Sequence, residues 1–225
     1  MHGKILPNGF GDEDMGLYSR NRGKRGERLW CSFCREQGYD VHRTAQYRGN
    51  TGAAGDVEGL PFIHCEVKYV QHLNIREAME QSDGDANMEA IRIRKAEEKA
   101  APHGALFTQD FGLSYYKKLP IVASKRSNEP WLVTMYAWGF VSLVSLVGDE
   151  FLDSLHVIHK ASQRFSVRKV LREAVRQYED EDGALVAIKY PRGENASLVT
   201  MYAEEWFVLY REWEAGMDLK AREEP

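Results

Sequence analysis

The chain has 225 residues, 43% hydrophobic and 28% charged, with a formal net charge of −4 and three cysteines. That length builds one full core and an appended half-domain. With no run of eighteen apolar residues and no cleavable signal pattern, a soluble cytoplasmic protein is expected, and an odd number of cysteines predicts reduced thiols rather than a disulfide framework.

Residues 1–17, with Pro7, Gly9, Gly11 and Gly16, read as a loose, flexible leader. From Lys24 to Gln37 the spacing of Leu29, Trp30, Phe33 and Cys34 predicts a helix that Gly38 stops. Cys31 and Cys34 form a lone CxxC in that helix, with no second pair to complete a zinc site. Tyr39–Ala45 reads as a short strand, and Gln46–Gly55, with three glycines, as a mobile loop leading to Asp56. Glu58-Gly59-Leu60-Pro61 is turn-prone, and Pro61–Val70 is a strand rich in β-branched and aromatic residues. Its period of two puts His64, Glu66 and Lys68 on one face and Cys65 and Val67 on the other. Asp56-Val57 then lies on the preceding strand of a hairpin, folded back toward Glu66. Asn74 and Glu77 have capping-box spacing at the head of a helix carrying Gln81. Residues 83–119 read as a charged helical insertion, and Pro120–Tyr136 as two further strands.

These residue types suit one chemistry. A phosphodiester repels nucleophiles, so its hydrolysis needs charge neutralisation, an activated water and support for the departing oxygen. Carboxylates that hold Mg²⁺, together with a lysine, supply all three, and Mg²⁺ takes oxygen ligands without any Cys or His cage. The charge distribution agrees. Residues 20–48 contain Arg20, Arg22, Lys24, Arg25, Arg28, Arg35, Arg43 and Arg48 against Glu27, Glu36 and Asp40, a net +5 beside −9 for the remainder. Such a basic stripe beside the acids suits a phosphate-tracking surface whose binding weakens with salt. Arg22, Lys24, Arg25, Arg28, Arg43, Tyr47 and Arg48 are its DNA-contacting candidates.

The segments GKRGERLW (23–30), GDVEGLP (55–61), HCEVKYV (64–70) and NIREAMEQ (74–81) resemble the PD-(D/E)XK nuclease superfamily, and within it the archaeal and phage-type Holliday junction resolvases. The resemblance covers about residues 20–82 and implies an α/β fold of restriction-endonuclease type, a mixed central sheet flanked by helices. It implies Glu27, Asp56, Glu66, Lys68 and Gln81 as catalytic residues, with Asp56, Glu66, Glu27 and the Val67 carbonyl around one or two Mg²⁺, for which Mn²⁺ would substitute. It also implies a homodimer acting on four-way DNA junctions. Branched or plain duplex DNA is the alternative substrate, and a non-catalytic DNA-binding module of the same fold is the alternative role.

An internal repeat organises the rest. Leu132–Ala137 (LVTMYA) recurs unchanged at Leu198–Ala203, and aligning 62–81 with 154–173 matches His64 with His156, Lys68 with Lys160, Gln71 with Gln163 and Arg76 with Arg168. Ile158 stands where Glu66 does, and nothing matches Glu27 or Asp56, so the second copy is expected to be chemically silent. The expected organisation is a leader (1–17), a nuclease core (18–150) with the insertion at about 83–119, and a degenerate half-repeat (151–225). In a competing arrangement the second half completes the first core, with residues 83–150 as an insertion. The final helix, Ala203–Ala215, places Trp206, Phe207, Tyr210 and Trp213 to pack on a sheet.

Overall fold

In the computed structural model the described residues are 12–44, 55–100, 117–159, 166–179, 183–190 and 196–223. They form eight strands, β1 (His42–Arg43), β2 (Val57–Glu58), β3 (Ile63–Tyr69), β4 (Leu119–Lys125), β5 (Leu132–Tyr136), β6 (Leu155–His159), β7 (Ala184–Lys189) and β8 (Leu198–Tyr202). The helices are α1 (Asp12–Glu36), α2 (Ile75–Ala100), α3 (Ala137–Val144), α4 (Asp149–Asp153), α5 (Val167–Gln177) and α6 (Ala203–Glu223). The fold is α/β: one mixed sheet of order β1-β2-β3-β4-β5-β8-β7-β6, flanked by helices. No helix among the described residues is long and apolar enough to cross a membrane.

The strand alternation sorts the core. On one face Cys65, Val67, Ile121, Ala123, Val133 and Met135 meet Trp30 of α1, Leu143 of α3 and the aromatic stripe of α6. On the other, Ala78 and Met79 of α2 pack on Val122 and Leu198, while Val170, Leu171 and Ala174 of α5 pack on Leu132, Leu185 and Ala187. With both faces covered, β4 reads as a nearly continuous apolar run. Gly59 turns β2 into β3 at φ +110°, and a Cβ there would come 2.3 Å from the Asp40 carbonyl oxygen, so the hairpin needs glycine.

Strand senses match on the two sides of the sheet. β3 pairs parallel with β4 across the α2 crossover, and β4 antiparallel with β5. Likewise β6 pairs parallel with β7 across α5, and β7 antiparallel with β8. The two LVTMY strands pair with each other, Thr134 opposite Thr200, their hydroxyl oxygens 2.9 Å apart. The C-terminal helix then reaches back over the first half. Trp206, Phe207 and Tyr210 are fully buried, Phe207 lies 5.9 Å from Trp30, and Tyr210 donates to the Pro61 carbonyl at 2.6 Å.

Several boundaries differ from expectation. Helix α1 opens at Asp12, so residues 12–17 are helical rather than a loose leader; residues 1–11 lie outside the described ones. Residues 83–100 continue α2 in one 26-residue helix instead of opening an insertion, and 101–116 lie outside the description. The expected boundary at 150/151 falls inside α4, because the sheet and its main core run through both halves. Cys31, Cys34 and Cys65 are free, buried thiols within that core.

Candidate active site

Three separate elements bring the expected residues together on and beside β3. The hairpin holds Asp56 just before β2: its amide donates to the Cys65 carbonyl at 3.0 Å, and its Oδ2 accepts from the Val67 amide at 2.7 Å. An extended residue points its N–H and C=O the same way, so the Val67 carbonyl opens toward the same edge as Asp56.

Glu66 and Lys68 lie on the α2 face of β3, as their parity predicts. Lys68 Nζ donates to Glu66 Oε1 at 2.5 Å and to Gln81 Oε1 at 3.1 Å. Glu66 is 5% exposed, so its charge is withdrawn from water and balanced by Lys68. Glu27 arrives from α1. Gly26 makes this possible, since a Cβ at that position would lie 2.4 Å from the Tyr69 Cβ, and the helix could not rest so closely on β3 with any side chain there. Arg43 Nε holds Glu27 Oε2 at 2.5 Å, an anchoring role beyond its place in the basic stripe.

The electrostatics bind these groups into one centre. Burial, first, and the neighbouring Glu66 push the Asp56 carboxyl up from its ordinary 3.8 to about 7. Glu27 adds to the rise, while the Val67 amide and Lys68 oppose it. The site therefore holds more negative charge than its own lysine balances. Its donors are carboxylate and carbonyl oxygens, the set a hard cation such as Mg²⁺ takes, and a cation would relieve the repulsion. Among the described residues no three His, Cys, Asp or Glu side chains form a metal-binding group. Each carboxylate is turned onto a partner of its own: Glu27 onto Arg43, Asp56 onto the Val67 amide and Glu66 onto Lys68.

The basic stripe is partly placed. The Arg22 and Arg25 guanidiniums lie 5.6 and 6.0 Å from the centre of the Tyr69 ring and line an open groove with Tyr18, Asn21, Gln71 and Ser127. Lys24 is half-buried and Arg28 exposed on the same helix. Tyr47, Arg48 and most of the glycine-rich loop lie outside the described residues.

Sequence reading missed the partner of His64. That histidine is 2% exposed; its Nδ1 lies 3.1 Å from Glu89 Oε2, and Glu89 also accepts from Lys118 at 2.7 Å. These two hydrogen bonds and the Lys118 charge outweigh the effect of burial and hold the Glu89 carboxyl below its ordinary value. The signal was present in the spacing. Gln81, Asp85 and Glu89 stand four apart on one stripe of α2, while Lys68, Glu66 and His64 stand two apart on β3, so the two series run alongside each other.

No protein-family model, curated protein or solved structure matches the chain.

Proposed function

We propose that the chain is a Mg²⁺-dependent, structure-selective DNA endonuclease of PD-(D/E)XK type that hydrolyses phosphodiesters at four-way junctions. One observation carries this reading: Glu27, Asp56, Glu66, Lys68 and Gln81, from α1, the β2–β3 hairpin, β3 and α2, share one electrostatic centre. The same order of residues underlies the resemblance to the junction resolvases.

Asp56, Glu66, Glu27 and the Val67 carbonyl would hold the ion. When bound, Mg²⁺ supplies charge neutralisation at the phosphate and acidifies a water. The rest falls to the chain. Lys68, kept in place by Gln81 and Glu66, orients the attacking water and stabilises charge on the phosphoryl oxygens. Arg43 fixes Glu27, and the Arg22–Arg25 groove beside Tyr69 tracks the backbone and sets the strand's approach.

The partial repeat belongs to this proposal. The matching strand senses, the duplicated LVTMY strands and the aligned crossover helices support a duplicated half-core, silent because Ile158 replaces Glu66. Lys160 and Gln163 of the repeat lie outside the described residues. With one such centre among the described residues of a chain, paired nicks need two chains, and a homodimer suits a twofold junction.

The test is Mg²⁺-dependent cleavage of a labelled four-way junction beside matched duplex and single strands. Paired, symmetric nicks confined to the junction are expected. Equal cutting of all three would replace the junction by general DNA as substrate, and metal-independent binding without cutting would replace the nuclease by an interaction module.

A further inference from the structure

The seam between β5 and β8 lies beneath a cavity of about 270 Å³ on the sheet face that also carries Glu66 and Lys68. Among the described residues, none of the proposed catalytic ones lines it, and no Asp or Glu does. Its charged walls are Arg126, Arg168 and Lys189. Arg168 is engaged: it donates to Glu129 at 3.0 Å, to the Pro130 carbonyl at 3.3 Å and to the Ser124 carbonyl at 2.9 Å. The side chains of Arg126 and Lys189 have no hydrogen bond or ion pair among the described residues, so, among those residues, the wall carries two side-chain cations without a counter-charge bonded to them.

The floor supplies neutral donors. Thr134 and Thr200 are 2% and 3% exposed, and their hydroxyls face each other at 2.9 Å. One hydrogen suffices for that contact, which leaves the other hydroxyl hydrogen without an acceptor among the described residues. The rim adds the start of α5, where Ser166 makes no side-chain cap and Ser166, Val167 and Arg168 line the cavity; the first-turn amides of a helix have no acceptor within the helix. The start of α2, by contrast, is capped through Asn74 and Glu77.

Two cations and a spare hydroxyl hydrogen beside the start of α5, around a small space that no carboxylate of the described residues lines, form a receptor for a compact oxyanion. The volume lies just below the roughly 300 Å³ at which drug-sized ligand pockets begin, so one phosphate group and a little of its substituent fit. We propose that this cavity binds a phosphate group, carried by a DNA backbone or by free phosphate and small phosphate esters. The proposal stands apart from the nuclease reading, because none of its residues belongs to the Glu66 centre.

The probe is inorganic phosphate, titrated calorimetrically into the full-length chain at constant ionic strength. Arg126→Gln/Lys189→Gln should weaken binding by about tenfold or more, whereas Lys95→Gln/Lys99→Gln, an equal loss of charge at exposed positions on α2, should leave it unchanged. Thr200→Val should weaken it without altering charge. Melting temperatures unchanged or raised in the first variant exclude misfolding, since two like charges are removed. A short duplex that displaces phosphate from Glu66→Gln protein assigns the site to the DNA backbone; phosphate binding indifferent to duplex assigns it to free phosphate or a small ester. Absence of phosphate binding by the wild-type chain, or equal weakening in the two double variants, overturns the proposal.

Discussion

The β3–α2 and β6–α5 units have the same strand senses and crossover, but opposite interiors. At the site end Glu66 is buried and paired with the half-buried Lys68, and Asp56 is held in a region that resists its ionisation. At the other end the aligned Ile158 packs on the cluster of Val170, Leu171, Ala174 and Leu185, and His156 stacks on Tyr178 at 4.5 Å where His64 meets a carboxylate. The second unit shows that this architecture does not require a buried carboxylate at the position of Glu66. Buried ions lower stability unless they are well compensated, so the charges around Glu66 are retained against folding stability, as at sites of chemistry.

The largest loss of stability should come from breaking the contact that only the site half has. Gly26→Ala drives a Cβ into Tyr69, and the overpacking should lower stability by about 1–3 kcal/mol. Helix α1 and Glu27 would shift with it, so the melting temperature should fall by roughly 2–12 °C and cleavage should fall too. An unchanged melting temperature would mean that α1 does not rest on β3 as described.

Replacing Asp56 makes the site half more like its apolar counterpart. A carboxyl whose folded pKa is raised contributes its full stability below the unfolded value, near pH 4, and loses it as pH rises through about 7. Asp56→Asn keeps an acceptor for the Val67 amide but cannot ionise. It should therefore match the wild type near pH 4 and exceed it at pH 8 by on the order of 2–4 kcal/mol, measured by denaturant unfolding, while losing cleavage. A variant less stable than wild type at pH 8 would remove the strained carboxylate from the account.

The converse change puts an acid into the second half at the position aligned with Glu66. Ile158→Glu should cost about 1–3 kcal/mol, because that position offers apolar neighbours and no Asp56 counterpart, and each chain should still make one nick per strand exchange site. A second cleavage activity would break the contrast between the halves. The smallest effect concerns the basic groove, which flanks only the first half. Arg22→Ala/Arg25→Ala should reduce the salt dependence of DNA binding by about 1–2 in log–log slope without a change in melting temperature.

Much of the site unit was legible because its signals are local. The alternation on β3, the Gly59 turn and the capping spacing of Asn74 and Glu77 each need only a few adjacent residues, and they place Asp56, Glu66, Lys68 and Gln81. Helix α1 was cut short because Pro7, Gly9, Gly11 and Gly16 read as a loose leader, although the acidic run Asp12-Glu13-Asp14 is a helix-start composition. What stayed hidden is non-local. The two LVTMY segments are plainly alike in sequence, yet their pairing with each other is set by tertiary contacts. The aromatics of α6 read correctly as core, but nothing in their spacing says that they seal the opposite half against Trp30. Glu89 escaped for the same reason, its partner His64 being 25 residues away.

The most direct measurement compares wild-type and Glu66→Gln chains cutting the same labelled four-way junction in Mg²⁺, with binding to that junction followed in parallel without metal. Cleavage by the wild type that falls by on the order of 10²–10³-fold or more in the variant, with binding unchanged, is the predicted result. Equal cleavage by both chains, or none by either in Mg²⁺ or Mn²⁺, would contradict the assignment of the Glu66 centre.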